Sequence, residues 1–489
     1  MLKSSDFKKR TQFTSIFIGL TLLTSLTLTG CGSKKIEAEK LINGVNKFND
    51  KCLDPDLAVP KEWAEFQKEV INRVGNVEMG SGCYAPFRYV VKVLPEEGPK
   101  TELSDKTNLL DISSCKLTRT DNWQDNEIER IHFQPNLKIQ IIPFQTLDFA
   151  ATSNPQVDYK DWFDFVKNSF TQMTDVPSNY QIFIPDHYVQ LDKNITTYDV
   201  GDKSVLFKDL NVDNFNKKDF ERLIRDLIKV SDPEIDFAGA DQFWFVGPPN
   251  ISRNELVNWG NQLSIKTDEG DWHSFYVTDH IYSFDSPSWN FAGPYGTLHE
   301  VMRMTDGTLN GHFGLDGQSG TYPWGNEQGG WTDYLVWDKW LAKMVSDQQV
   351  MCAKPDTSGT YWIRPNAVKT DQEKLLMIPI SATKAIAIES MRNAGFSYKV
   401  PKCQLGTLIY TIDTEIMSES KNEGVEMQKN INKKNTCSVS IMETSEQSGA
   451  ANRYDNALVE GQSLNVLGHK ITVLESGEFG DVVQVDPIK

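Results

Sequence analysis

Between residues 137 and 247, apolar strand-like runs alternate with amphipathic helix-like stretches. That alternation narrows the fold more than any other feature. Residues 137–144 and 180–184 are rich in β-branched and aromatic side chains and predict strands. Residues 161–170 place Trp162, Phe163, Phe165, Val166 and Phe170 at helical spacing, and residues 220–230 set Leu223, Ile224, Leu227 and Ile228 on one helix side. Residues 241–247 hold a continuous apolar run, Phe243 to Val246, the pattern of a strand covered on both faces. Strands alternating with helices predict an α/β layer. Upstream, Trp63, Phe66, Val70, Ile71 and Val74 predict a helix, and residues 88–93 a strand. Past Cys352 the pattern changes to short strands at 385–389, 407–412, 463–467, 470–474 and 482–485. These predict a β-sandwich-like C-terminal domain, with residues 418–435 as a charged loop inside it.

The first residues are of another kind. Lys3, Lys8, Lys9 and Arg10 precede an uncharged apolar run at 13–28, which ends in Leu28-Thr29-Gly30-Cys31. A basic start, a short apolar run and small residues make a secretory signal, and the run is short for a membrane span of about 20 residues. The ending resembles a bacterial lipobox, which implies that Cys31 becomes the lipid-bearing first residue of the mature chain. The expected organisation is a signal peptide at 1–31, a polar tether at 32–51, an α/β domain at 52–345 and a β domain at 346–489. The expected location is outside the cytoplasm, lipid-anchored to a membrane. With Gly32 rather than Asp after the cysteine, the pattern resembles that of outer-membrane delivery in a two-membrane cell. In a single-membrane cell it implies the outer face of the cell membrane.

Charge and cysteines limit the partners. The chain carries −17, and loss of Lys3, Asp6, Lys8, Lys9 and Arg10 removes +3, so the mature part stands near −20 (−17 − 3). Nucleic-acid binders need a basic footprint, so that class is excluded. An acidic protein also needs its lipid to hold it on an anionic bilayer. Beside Cys31, six cysteines remain: Cys52, Cys83, Cys115, Cys352, Cys403 and Cys437. An even number in an exported chain predicts disulfides, with 15 connectivities open for three bridges. Three cysteines lie early and three late, so complete pairing requires at least one bridge between the two regions. None has C-x-x-C spacing, which argues against a cysteine zinc site.

Residues 298–303 read Leu-His-Glu-Val-Met-Arg. In His-Glu-x-x-His, two imidazoles one helical turn apart hold zinc and the glutamate between them is the general base of a metallopeptidase. Here His299 and Glu300 are present, but Arg303 stands in the second imidazole seat. Thr297 is suited to cap such a helix and Gly307 to stop it. A guanidinium is always charged. Two unit charges at about 4 Å repel by about 4 kcal/mol at an effective dielectric of about 20, and a divalent ion doubles that. Arg303 also lies three residues from Glu300 on one helix face, where the two can pair, and a paired glutamate is a weaker base.

Several blocks, in order, resemble secreted zinc metallopeptidases of the immune-inhibitor-A type. They are residues 232–237 with Asp241 and the apolar run behind it; His299-Glu300; Gly330-Trp331; residues 337–341; residues 388–392; residues 406–413; and residues 457–463 with the two final strands. The resemblance spans most of the chain from residue 137 onward. It implies a metallopeptidase-like α/β domain with a mixed sheet plus helices, His299 as first zinc ligand and Glu300 as catalytic base. It also places Leu309 at the third ligand and Asp306 at a glycine of the extended motif. Zinc is the implied cofactor, and the departures at Arg303 and Leu309 count against it.

Three readings stay open on the sequence. The first is a cell-envelope lipoprotein whose metallopeptidase-like domain binds or scaffolds polypeptide or cell-wall material without cleaving it. The second is an active zinc endopeptidase with a rearranged ligand set, drawing on His299 with Asp306 or His312, or on Asp316, His273 or His280. The third is a glycan-binding envelope protein using Trp324, Trp331, Trp337 and Trp340, although the helical spacing of Trp337 and Trp340 predicts core positions. Residues 306–316 lack the EF-hand pattern of a calcium loop, and no G-x-S-x-G elbow marks a serine hydrolase.

Overall fold

The structure is a computed structural model. It describes residues 92–118, 136–201, 217–251, 333–395, 405–415, 439–442 and 457–488, with short pieces at 255–256, 259–261, 265–267, 269–272 and 275–278. The fold is mixed α/β, with several sheets and a few helices.

The first sheet is built as the alternation predicted. Strand β1 (Lys138–Gln145) leads through helix α1 (Pro155–Met173) to β2 (Gln181–Phe183) and β3 (Val189–Gln190), both parallel to β1 on the same side. Helix α2 (Lys217–Ser231) then carries the chain to β4 (Gln242–Val246), parallel to β1 on its other side. A return past the starting strand puts successive right-handed crossovers on opposite faces. Phe163 of α1 meets Trp244 edge-on at 6.0 Å on one face. On the other, Phe220, Leu223, Ile224 and Leu227 of α2 pack on Ile142, Phe144, Phe243 and Phe245. All five β4 residues are buried, as a strand covered on both faces requires. Helix α1 begins earlier than the aromatic spacing indicated, because Asn154 caps it through the Gln156 amide and Pro155 opens its first turn. Next come β5 (Trp259–Asn261), β6 (Ile265–Lys266), β7 (Asp271–Trp272) and β8 (Phe275–Thr278). Strand β8 extends the first sheet in parallel and β5 closes its edge antiparallel, while β6 and β7 pair with each other.

Two further sheets form beyond Asp333. Helix α3 (Val336–Leu341) precedes β9 (Val350–Cys352), β10 (Gly359–Ile363), β11 (Leu375–Pro379), β12 (Lys384–Met391), β13 (Gly406–Asp413) and β14 (Val439–Ile441). After these come β15 (Ala457–Leu458), β16 (Ser463–Val466), β17 (His469–Gly477) and β18 (Gly480–Pro487). One sheet has the order β14-β13-β12-β11-β9, with β15 also on β13; the other has the order β10-β18-β17-β16. The side chains of β12 alternate. Ile386 and Ile388 join Tyr361, Ile471, Val473 and Val483 in the core between the two sheets. Ala385 and Ala387 face the opposite core, formed with Val336, Trp337 and Trp340 of α3. Trp337 and Trp340 are buried and in ring contact, as their spacing predicted.

Residues 92–118 belong to this second assembly. Cys115 and Cys352 form a disulfide, so one bridge joins the early and late parts of the chain, and Leu109 pairs with Ala353 beside it. Cys31, Cys52, Cys83, Cys403 and Cys437 lie outside the described residues. Lys92 and Val93, expected at the end of a strand, instead lie in irregular chain that crosses the four-stranded sheet. The predicted helix at 62–74 and the loop at 418–435 also lie outside the described residues.

One ion pair ties the two sheets at their end. Arg392, just past β12, donates to both carboxylate oxygens of Asp481 on β18 (2.6 and 3.2 Å) and to the carbonyls of Gly477 and Gly480. Asp481 is fully buried. Removing one partner of such a pair strands a buried charge, whereas replacing both with apolar groups is tolerated. Arg392→Ala is therefore expected to lower the free energy of unfolding by about 3–5 kcal/mol in urea titrations, and Arg392→Met with Asp481→Leu to recover most of it. A single-variant loss below about 1 kcal/mol would contradict this account.

Candidate functional site

His299, Glu300, Arg303, Asp306 and His312 lie outside the described residues, as do Asp316, His273, His280, Leu309, Trp324 and Trp331. The described chain enters that stretch after Thr278, at the end of β8, and leaves it at Asp333. The charged groups gathered just beyond Asp333 form the most chemically distinctive site among the described residues.

Glu389 is the centre of this site. It continues the Ala385/Ala387 face of β12, so its carboxylate points at α3 rather than at solvent. It is fully buried. Its Oε2 accepts from the Val336 amide at the start of α3 (2.8 Å) and from the Tyr410 hydroxyl of β13 (3.1 Å). Its Oε1 accepts from Asn366 Nδ2 (3.0 Å). Asn366 in turn donates to the Tyr334 carbonyl (2.8 Å) and accepts from Lys339 Nζ through Oδ1 (2.8 Å). Desolvation outweighs these donors and pushes the Glu389 carboxyl up to about 7. Burial, then the neighbouring Glu389 and Asp338 charges, raises the Tyr410 hydroxyl well above the usual phenol range.

A second arm reaches the first sheet. Lys374, immediately before β11, donates to the Asn366 carbonyl (3.0 Å) and pairs with Asp175 at 2.5 Å. Asp175 follows α1, and its amide donates to the Met344 carbonyl (2.9 Å). Gln349 Nε2 donates both to Asp175 (2.7 Å) and to the Thr370 carbonyl (2.8 Å). Burial pushes the Lys374 ammonium down to about 8 although Asp175 favours its charge. Asp333 lies where the chain emerges. Gly395, with φ +56°, backs it so closely that a Cβ there would stand 2.1 Å from Asp333 Oδ2.

This arrangement can hold charge and fix the course of the chain next to residues 279–332. Glu389, Lys339, Lys374 and Asn366 are all essentially closed to solvent, and Glu389 and Asn366 hold α3 through Val336 and Lys339. Among the described residues, no group of three or more His, Cys, Asp or Glu could hold a metal ion, and no helix is long and apolar enough to cross a membrane. The sequence matches no protein-family model and no curated protein.

Sequence reasoning did not single out Asp175, Gln349, Asn366 or Lys374. Only Glu389 carries a visible signal, a charged residue in phase with the buried positions of an otherwise apolar strand. The other partners come from four separate stretches, and no local pattern links them.

The buried ionisable groups give stability a distinctive pH dependence. Below about pH 4.5 the Glu389 carboxyl is protonated in both folded and unfolded chains. Between about 4.5 and about 7 only the folded chain keeps that proton, so this group's contribution falls as pH rises. Between about 8 and 10.5 the unfolded chain binds the extra Lys374 proton, so that contribution rises again. Urea midpoints measured across pH 4.5–7 should fall less steeply for Glu389→Gln than for the wild type. Identical slopes would show that Glu389 does not titrate in this window.

Proposed function

We propose that this chain is a lipid-anchored cell-envelope protein with a metallopeptidase-like α/β domain and a β-sandwich-like C-terminal domain, which binds polypeptide or cell-wall material without hydrolysing it. The observation that carries the reading is Arg303 in the seat of the second zinc ligand. The donor set left by the motif does not fit zinc. His299 supplies one imidazole, Arg303 a permanent positive charge and Leu309 no donor at all. No metal-dependent step is therefore assigned to Glu300.

Two features support the rest of the reading. The Cys115–Cys352 bridge fits a chain that matures in an oxidising compartment, as the Leu28-Thr29-Gly30-Cys31 ending implies. The parallel strands β1, β4 and β8 provide an α/β layer whose last strand leads into the stretch holding His299 and Glu300, the order in which the resemblance places them.

Metal analysis of the purified protein should find no stoichiometric zinc, and Arg303→His should gain it. Near-stoichiometric zinc in the wild type, lost in His299→Ala, would replace this reading with that of an active zinc endopeptidase. In cell fractionation the wild type should sediment with membranes. Cys31→Ala should lose lipid incorporation, and a Cys31→Ala protein that still takes up labelled fatty acid would rule out this anchor.

A further inference from the structure

Residues 92–104 cross the outer face of the four-stranded sheet and are held mainly by polar contacts. Lys92 pairs with Glu478 at 3.0 Å. The Lys100 and Thr101 amides donate to the Glu475 carboxylate (2.9 and 3.0 Å), and the Thr101 hydroxyl joins them (2.9 Å). At the edge of β10 the Ser104 amide donates to the Thr360 carbonyl (3.0 Å), while the Thr360 amide donates to Ser104 Oγ (2.8 Å). None of these thirteen residues is buried, and Val93 is 83% exposed. Leu94 alone among them packs on an apolar cluster, that of Ala367, Val368 and Ala394. A few residues further on the chain is tied down by the Leu109–Ala353 pair, the Cys115–Cys352 bridge and the apolar contacts of Leu110 and Ile112.

The face beneath is shaped to hold main chain. The register of β17 on β18 shifts between Val473 and Glu475, so Leu474 is an extra residue at a bulge, and the bulge aims the Glu475 carboxylate outward. Glu475, Val482 and Trp362 form one row across the three strands. Gly98 lies against the Trp362 ring, where a Cβ would stand 3.0 Å from the ring edge. Three of the donors that this face meets are main-chain amides, which every non-proline residue offers. The bay therefore reads main chain, bent at Lys100 and Thr101 so that two consecutive amides meet one carboxylate, more than side-chain sequence.

We propose that residues 92–104 are a displaceable strap and that the bay beneath it, from Glu475 across to the β10 edge at Thr360, takes a polypeptide segment of a partner, bent in the same way at Glu475, in its place. The strap is then a resident substitute for that segment. A partner would present consecutive free amides to Glu475, a residue without a bulky side chain at Trp362, and a lysine or arginine for Glu478.

The test uses the full-length protein, with a fluorescein-labelled peptide of residues 92–104 as the probe. Thr101→Pro removes an amide donor from the strap, and Gly98→Leu forces the strap off Trp362; both leave Glu475 intact. In each, hydrogen exchange at the Lys100 and Ser104 amides should rise by at least about tenfold while Leu110 and Val473 stay unchanged, because only the strap opens. Both should bind the peptide at least about tenfold more tightly than the wild type, whose bay is occupied. Glu475→Ala should loosen the strap equally but fail to bind the peptide, since it lacks the acceptor. Loosened straps without peptide binding overturn the proposal, and so does strap exchange in Glu475→Ala no faster than in the wild type. Equal peptide binding by the wild type and the opened variants also overturns it, because the strap would then not occupy the bay. The Gly98→Leu and Glu475→Ala results decide the matter even if Thr101→Pro does not fold.

Discussion

A sheet covered on both faces leaves its central strands no solvent-facing side, and much of the second half of this molecule depends on how β12 meets that condition. One face of β12 lies against the four-stranded sheet and carries isoleucines. The other lies against α3 and carries alanines, whose small size leaves room for Trp337 and Trp340. Glu389 falls in phase with the alanines, so its charge enters the core and must find all its partners there. The first amide of α3 is one of them. The helix is thus docked both by apolar packing and by a carboxylate that needs its N-terminus. Moving α3 would break the Val336 bond to this buried acid and the Lys339 bond to Asn366 beside it.

The same network connects the two halves of the chain. Lys374 stands at the start of β11 and Asp175 at the end of α1, and each is buried in the contact between the first sheet's helix and the second assembly. Buried charges are weak sources of net stability, because desolvation cancels most of their attraction. Their effect is on geometry, since either partner alone would be severely penalised. Asn366 relays between the arms: its carbonyl accepts from Lys374 and its side chain reaches both Lys339 and Glu389. Asp333, where residues 279–332 rejoin the described chain, lies beside this relay and is backed by Gly395.

What could be read from the sequence was the periodic part. The β1-α1-β2 alternation, the apolar run of β4 and the strands of β12, β13, β17 and β18 were all visible as patterns of burial, because period and burial are coupled. The strands β10 and β11 were not singled out. Strand β10 mixes Trp362 and Thr360 with buried residues on a half-covered face, and β11 is a short apolar run that a helix segment could equally supply. The pairing of Cys115 with Cys352 was one of many connectivities the count allowed. The Glu389–Asn366–Lys374–Asp175 network could not be read at all, because tertiary contacts between distant stretches leave no trace in local composition. The residues that the sequence favoured for function, His299 and Glu300, lie outside the described part. There the chemical argument rests on residue identity.

Residues 92–118 divide into two mechanical regimes. From Leu109 to Leu117 the chain is fixed by a disulfide, a β-bridge and apolar contacts that come apart only with the sheet itself. From Lys92 to Ser104 it is fixed mostly by hydrogen bonds and one ion pair on an open face, which can be released a few at a time. Tension applied from the N-terminal side of Lys92 would meet the weak segment first. The strap would peel while the bridge at Cys115 stopped the opening from reaching the sheet. The order of these attachments along the chain, weak before strong, therefore lets the Glu475 bay open without cost to the core that holds β12 and α3 together.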